Sequence, residues 1–249
     1  MYGSSRTRWI ACVGLALLVA AGMRAATTNA AFGVAVARGW AGYVVRPNSG
    51  SFDGVHGRWI QPRAVCNRPG SAAAFWIGLG GARRYSRALE QVGTSVDCSD
   101  RAQPSYSAWY QLWPARAVDL PVAVRPGDVL DAAVTVDGAA VTITLRNVST
   151  GAAFTQTIVM WEPESDSAEW IVEAPAMCFA TCTLLPLATF RSVTFTDTTA
   201  TLTAYTSMIA DPRWTRSRFT MGVPAGRTLA TPSSLLDGGS SFRVVRSRF

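Results

Sequence analysis

Two segments of the sequence carry acidic, amide and indole side chains at spacings that suit a binding or catalytic surface. Residues 106–114 read YSAWYQLWP, and residues 167–175 read SAEWIVEAP. In β-strands, alternate residues share a face. The sets that would lie together are Ser107, Trp109, Gln111 and Trp113 in the first segment, and Glu169, Ile171 and Glu173 in the second. Burying carboxylates and amides without partners is costly, so we expect this face to contact solvent or a ligand.

Catalytic groups other than carboxylates and amides are scarce in this chain. It has one histidine, His56, within a GVHG sequence that we expect to form an exposed turn, and it has no lysine. A Ser-His-Asp or Cys-His site would have to use His56, and no Gly-x-Ser-x-Gly elbow supplies a serine. Without lysine there is no Ser-Lys dyad and no Schiff base, and a zinc site built on several histidines is excluded. We therefore expect neither a metal nor a cofactor.

The N-terminal residues 1–30 have the layout of a secretory signal peptide. Arg6 and Arg8 precede an uncharged apolar run at residues 9–22, and small residues follow, with a candidate cleavage site before Ala31. The run is shorter than the roughly 20 residues that span a bilayer, although an uncleaved anchor is the alternative. We expect a secreted, extracellular protein with no membrane attachment after signal cleavage. Its basic residues are scattered, so no nucleic-acid partner is expected.

The cysteines indicate an oxidising compartment. Cys12 lies in the predicted signal peptide, which leaves Cys66, Cys98, Cys178 and Cys182. Four cysteines in an exported protein predict two disulfides, and of the three possible pairings we favour the most local one, Cys66–Cys98 with Cys178–Cys182. A four-cysteine zinc site is the competing interpretation.

The remainder of the chain alternates short strand-like runs with turn residues. Residues 129–136 and 140–145 flank an Asp-Gly pair, which predicts a β-hairpin. Residues 193–196 and 242–245 also have strand character, and helical periodicity is hard to find. We predict an all-β fold, an antiparallel double-sheet β-sandwich, formed by one domain at residues 31–249.

Several motifs, in order, resemble the glutamic peptidase family, also called eqolisins or peptidase family G1. The resemblance runs from about residue 39 to the C-terminus. The motifs are GWAGYV at residues 39–44, V-x-G-x-W at 55–59 with Pro62, WIG at 76–78, LEQ-x-G at 89–93, AEWIVE at 168–173 and LA-x-F at 187–190.

The resemblance implies a concanavalin A-like jelly roll whose groove binds an extended polypeptide substrate, in a protein expected to act as a monomer. Glu173, as the second glutamate of AEWIVE, would be the general base, and Gln91 would stabilise the oxyanion. The groove would be lined by Trp76, Trp109, Gln111 and Tyr106. The implied activity is that of a secreted endopeptidase working in acidic medium. The family often has acidic residues where Gln111, Ser107 and Gly80 stand here.

Two other functions fit a sandwich with this surface. A glycoside hydrolase needs two carboxyl groups about 5–9.5 Å apart, whereas Glu169 and Glu173 would be separated by roughly 13 Å along one strand. A non-catalytic peptide- or carbohydrate-binding module, such as a lectin or adhesin, could keep the groove without turnover.

Overall fold

The computed structural model describes residues 33–37, 39–178, 182–222 and 226–247, excepting the side chains of 33–36 and 178. The predicted signal peptide lies outside the described residues, and the predicted domain boundaries stay predictions. Within the described ranges, no helix has the length and apolar character needed to cross a bilayer.

The described residues form twenty β-strands and one short 3-10 turn, Asp237–Gly239. In chain order the strands are β1 Gly33–Ala37, β2 Trp40–Pro47, β3 Gly54–Ile60, β4 Ala64–Val65, β5 Ala72–Gly80, β6 Leu89–Cys98, β7 Pro104–Trp113, β8 Val118–Leu120, β9 Val129–Asp137, β10 Ala140–Asn147, β11 Ala153–Val159, β12 Ala168–Glu173, β13 Ala176–Cys178, β14 Cys182–Leu184, β15 Thr189–Phe190, β16 Ser192–Leu202, β17 Tyr205–Met208, β18 Trp214–Gly222, β19 Thr228–Pro232 and β20 Phe242–Arg246. The all-β prediction is confirmed.

The larger strands form a front layer and a back layer. The front layer has the order β18-β2-β12-β5-β6-β7-β8, the back layer has the order β11-β10-β9-β3-β16-β20, and β19 connects the two layers at one edge. Pairing is antiparallel except that β1 runs parallel to β18. Strands β5 and β6 of the front layer pack on β3 and β9 of the back layer. This architecture is the predicted double-sheet sandwich.

Alternation along the front strands divides their side chains between two hydrophobic clusters. The main core between the layers takes one set, which includes Tyr43, Phe75, Ile77, Val92, Ala108, Trp170 and Val172. A second cluster, on the other face of the same strands, contains Trp40, Val44, Trp76, Trp109 and Ile171. We call this second surface the outer face of the front layer. The predicted acidic and amide residues lie on it.

Two buried indoles connect the layers through hydrogen bonds. Trp170 of β12 donates its Nε1–H to the backbone carbonyl of His56 on β3, at 2.8 Å. Gly57 provides the space for this contact, since a Cβ there would lie 2.9 Å from the Trp170 ring. Trp59 donates to the Thr94 hydroxyl of β6 at 3.1 Å. These bonds orient the front layer relative to the back layer.

His56 itself is in strand β3, not in the exposed turn expected from the sequence. Its ring is half-buried, with Nδ1 3.0 Å from the Asp197 carbonyl and Nε2 3.3 Å from Asp131. The GVHG sequence continues as a strand because β9 and β16 pair with it on both sides. The histidine is part of a surface ion-pair cluster that also contains Arg58.

The hairpin and one of the disulfides form as predicted. Strands β9 and β10 pair through Asp137 and Ala140, and Gly138 in the turn has a φ of 56°. Cys66 is bonded to Cys98, which joins the segment after β4 to the end of β6. For the second predicted bond, the side chain of Cys178 lies outside the described residues, while the backbone pairing of β13 with β14 sets Cys178 opposite Cys182.

Candidate active site

A row of polar residues crosses the outer face at right angles to the strands. The hydrogen-bond register places Glu169 of β12 opposite Gly78 of β5, Gly78 opposite Gln91 of β6, and Gln91 opposite Gln111 of β7. Directly paired residues of antiparallel strands project to the same side. Gly78 has no side chain, and Glu169 and Gln91 project to the same side of the sheet from the strands on either side of it, which are roughly 9.6 Å apart. We call this set the first polar row.

The glycine in this row is required by close packing. A Cβ at position 78 would lie 2.9 Å from the Glu90 carbonyl oxygen and 3.1 Å from the Gln91 Cβ. The Leu89 Cδ1 atom would also lie 3.1 Å from this Cβ. Position 78 therefore has no room for a side chain between the strands of Glu169 and Gln91.

The amide of Gln91 is held on one side by a second amide. Its Nε2 donates to Oε1 of Gln111 at 2.9 Å, and Nε2 of Gln111 donates to the backbone carbonyl of Ala115 at 2.8 Å. The Gln91 Oε1 atom is buried and has no hydrogen-bond partner among the described residues. It is therefore available to a ligand or a water molecule in the site.

Glu169 is fully buried in the same site. Neither of its carboxylate oxygens has a hydrogen-bond partner within the described part of the chain. Burial raises the pKa of Glu169 well above its ordinary value, the nearby Ser167 hydroxyl and the Arg46 guanidinium lower it in part, and Asp166 and Glu90 raise it further. A buried carboxyl group without hydrogen-bond partners, in the same row as an amide oxygen without one, marks a candidate functional site.

Glu173 lies in a different row of the same face. It stands opposite Trp40 and Ala74, and Ala74 is followed across the sheet by Ser95 and Ser107. The Ser95 and Ser107 hydroxyl groups are hydrogen-bonded at 2.9 Å. We call this set the second polar row.

The carboxylate of Glu173 is engaged by indoles. Trp76 donates its Nε1–H to Oε2 of Glu173 at 2.8 Å. Burial raises the pKa of Glu173 to about 8, and hydrogen bonds from Trp76 and Trp40 lower it in part. The rings of Trp40 and Trp76 meet edge to face, 5.1 Å apart. Glu173 thus holds two tryptophans in place beneath the outer face.

The hydrogen-bond register places Gln91 in the row of Glu169, whereas the predicted general base Glu173 lies in the other row, so the pairing of Gln91 with Glu173 stays a prediction. Glu173 is four residues further along β12, which is about 13 Å at the rise of an extended strand. The position of β6 in the same row as Glu173 is Ser95, not Gln91. Both glutamates project to one face, and only the register between strands distinguishes them.

The sequence of this chain matches a known protein family. The profile of the Peptidase A4 family matches residues 38–220, a range that contains both polar rows. The chain belongs to the Peptidase A4 family. It is 32% identical to Aspergillopepsin-2 of Aspergillus niger over 161 residues, which are 61% of this chain and 53% of that protein. The chain thus spans about half the length of this curated relative.

Solved structures of glutamic peptidases share the fold. Aspergilloglutamic peptidase from Aspergillus niger is 28% identical, with a TM-score of 0.58 over 71% of this chain and 99% of that one. Scytalido-glutamic peptidase with a transition state analog inhibitor is 21% identical, with a TM-score of 0.72 over 84% of this chain and 98% of that one. SCP-B, an eqolisin in complex with the tripeptide Ala-Ile-His, is 20% identical, with a TM-score of 0.69 over 84% of this chain and 98% of that one.

In this Peptidase A4 chain, the four residues predicted to line the groove do not all lie on the same face of the sheet. Trp76 and Trp109 both lie on the outer face and are nearly completely buried. Gln111 is also on this face, but it is fully buried and bonded to Gln91. Tyr106 projects to the opposite side, where it packs against the main core and its hydroxyl accepts the Ala64 N–H at 2.9 Å. Tyr106 is therefore not a groove residue, because its odd spacing from Trp109 puts it on the other face.

Trp113 shares the face of Trp109 and Gln111, as the strand alternation predicts, although it was not among the predicted groove residues. It is partly exposed and packs against the second cluster. At Gly80 the backbone has a φ of 74°, and a Cβ there would lie 2.4 Å from the Glu164 carbonyl oxygen. An acidic residue at position 80 would therefore not fit this backbone.

Proposed function

We propose that this chain is a secreted endopeptidase of the glutamic type, in which Glu169 is the general base and Gln91 stabilises the oxyanion. The observation that carries this proposal is the first polar row, where Glu169 and Gln91 lie on either side of Gly78 on one face of the sheet and have buried, unpartnered oxygen atoms. Scytalido-glutamic peptidase, which has the same fold, has been solved with a peptide-based transition state analog. This supports an extended polypeptide as the substrate class.

The chemistry follows from the two groups. The Glu169 carboxylate accepts one proton from a water molecule, and Oε1 of Gln91 accepts a hydrogen bond from the other water hydrogen. The water oxygen then attacks the carbonyl carbon of the scissile peptide bond, and the second N–H of the Gln91 amide donates to the oxyanion that forms. Protonated Glu169 gives its proton to the leaving amine as the C–N bond breaks. Each residue thus serves both steps without a metal or a covalent intermediate.

Trp113, the partly exposed indole of the outer face, supplies binding surface at this site. Trp109 on the other side of Gln111 and Trp76 on β5 are buried and support this face from beneath. Aromatic rings give a large apolar contact area for an extended chain, while the edges of the indoles remain polar.

The test compares the two glutamates. The mature protein, Glu169→Gln, Glu173→Gln and Gln91→Ala are incubated with a denatured protein across the acidic pH range, and peptide release is measured. We expect Glu169→Gln to lower kcat by on the order of 10³-fold, since it removes the base. Gln91→Ala should lower it by on the order of 10²-fold. Glu173→Gln should mainly reduce thermal stability.

Loss of activity in Glu173→Gln with full activity in Glu169→Gln would overturn this assignment and restore the one expected from the sequence. Peptide binding without cleavage by the wild-type protein, at any pH, would identify a non-catalytic binding module instead. The thermal melting temperature of each variant separates loss of chemistry from loss of the fold.

A further inference from the structure

The orientation of the Gln91 amide is set by the backbone carbonyl of Ala115, which is linked to it through two successive hydrogen bonds. A carbonyl oxygen can only accept, so the end of the Gln111 side chain that faces Ala115 must be its NH2 group. The other end of Gln111 is then its oxygen, and this oxygen faces Gln91. The group that Gln91 turns toward Gln111 must therefore be its own NH2. No other arrangement of the two amides satisfies all three groups.

Ala115, whose carbonyl ends this series of hydrogen bonds, is held in place by a turn of the backbone. The N–H of Ala115 donates to the carbonyl of Leu112 at 2.9 Å, which closes a turn at the end of β7. Gln111 is fully buried, and Gln91 is exposed by only 1%. In such a setting a side-chain amide that lost its acceptor would leave an unsatisfied donor, which costs about 1–3 kcal/mol.

We propose that Gln111 is a positioning residue, which fixes the Gln91 amide so that its Oε1 and its second N–H both face the site. This inference rests on the proposed function, because it concerns the amide that would hold the water and the oxyanion. Gln111 touches neither substrate nor water in this scheme. It acts through Gln91, and it does so with a neutral side chain that accepts and donates at the same time.

The choice of glutamine at position 111 has a chemical consequence. A glutamic acid there, when protonated, can accept from Gln91 with its carbonyl oxygen and donate its O–H to Ala115. When ionised, it can still accept from Gln91, but it faces the Ala115 carbonyl with a second acceptor and loses that bond. The charged residues on the adjacent segments are Asp119 of β8, which pairs with Trp109 two residues before Gln111, and Arg116, which follows Ala115, while Glu169 lies further along the same row on β12.

The experiment measures kcat and KM against pH for the wild type, Gln111→Leu and Gln111→Glu. Leucine has a similar volume and no polar atoms, so Gln111→Leu should lower kcat by on the order of 10²-fold at every pH, with KM little changed. Gln111→Glu should match the wild type at the acidic end and fall progressively below it as the pH rises. A purely structural role would instead lower the melting temperature and leave the pH profile unchanged.

Gln61 offers a matched control. It is another glutamine buried to 1% exposure, and it accepts a hydrogen bond from Thr94 on the core side of the sheet, away from the polar rows. Gln61→Leu should lower stability and keep the wild-type kcat. Wild-type kcat in Gln111→Leu, under conditions where Glu169→Gln is inactive, would overturn the positioning role while leaving the proposed function intact.

A second measurement does not depend on activity. With ¹⁵N-labelled glutamine, the side-chain N–H groups of Gln91 should exchange slowly with solvent in the wild type and in Gln61→Leu. They should exchange much faster in Gln111→Leu. Equal exchange rates in all three proteins would contradict the proposal even if no peptide is cleaved, whereas absence of cleavage with the expected exchange pattern would count against the peptidase assignment alone.

Discussion

At the scale of single residues, the site depends on a conflict between burial and ionisation at Glu169. A general base must be ionised to take a proton from water, yet full burial raises the pKa of this carboxyl group. The base is therefore strong, but only a fraction of it is ionised in acidic medium. Arg46 and the Ser167 hydroxyl offset part of this cost.

This conflict predicts the acid side of the activity profile. Below the raised pKa of Glu169, kcat/KM should increase about tenfold per pH unit, because the ionised fraction does so. The apparent pKa of the free enzyme should lie above the ordinary glutamate value of about 4.3. Initial rates with a short peptide substrate at low concentration measure it. A profile that is flat through this range would show that Glu169 does not have to ionise.

At the scale of strands, the site depends on how β12, β5 and β6 are aligned. Gly78 lies between the two proposed catalytic side chains, and no atom larger than hydrogen fits there without displacing β6. A neighbouring glycine on β6, Gly93, is also packed tightly, because a Cβ there would lie 2.4 Å from the Phe75 carbonyl oxygen. These close approaches hold β5 and β6 in one register.

Gly78→Ala tests this alignment. The added methyl group should push Gln91 away from Glu169 and lower kcat by on the order of tenfold or more, with overpacking costing about 1–3 kcal/mol of stability. Gly54→Ala is the control, since a Cβ at this position of β3 would make ordinary contacts of 3.4–3.6 Å. Activity assays and urea unfolding of both variants provide the comparison. Equal kcat values would mean that the space above Gly78 is not used.

At the scale of the whole molecule, the distribution of ionisable groups between surface and interior favours stability at acidic pH. The ion pairs of Arg58 and Arg83 are at the surface, where these arginine side chains are 46% and 64% exposed. Exposed ion pairs contribute little, although Arg58 and His56 lower the pKa of Asp131, so protonating this carboxylate in strong acid removes some stability. In the interior, burial raises the pKa of Glu90 and of Glu173 to about 8. The protein is therefore expected to tolerate low pH and to lose stability as the medium becomes neutral.

The direction in which the free energy of unfolding changes with pH follows from the protonation of these glutamates in the folded and the unfolded chain. Below about pH 4.3 these glutamates are protonated in both the folded and the unfolded protein. As the pH rises toward 8, the unfolded chain releases their protons while the folded protein keeps them, so each group lowers the free energy of unfolding by roughly 1.4 kcal/mol per pH unit. Urea unfolding of the wild type should show this slope. Together with the activity profile predicted above, this slope leads us to expect a working range in mild acid.

Glu90→Gln should flatten this slope, because glutamine keeps the hydrogen bond to the Glu164 N–H and does not ionise. Glu162→Gln, at an exposed carboxylate, is the matched control and should leave the slope unchanged. Stability that rises from acidic to neutral pH in the wild type would contradict the argument and would point to surface ion pairs as the dominant electrostatic contribution.

The sequence by itself determined the strand alternation, the hairpin at Gly138, the Cys66–Cys98 bond and the resemblance to glutamic peptidases. Only the tertiary structure shows that Glu169, and not Glu173, lies in the row of Gln91. The reason is that a period of two assigns each side chain to a face, and Glu169 and Glu173, four residues apart, belong to the same face. Their positions along the sheet follow from hydrogen bonds between β12 and β5 and between β5 and β6. That alignment joins strands that are distant in sequence, and it is set by close packing at glycines such as Gly78.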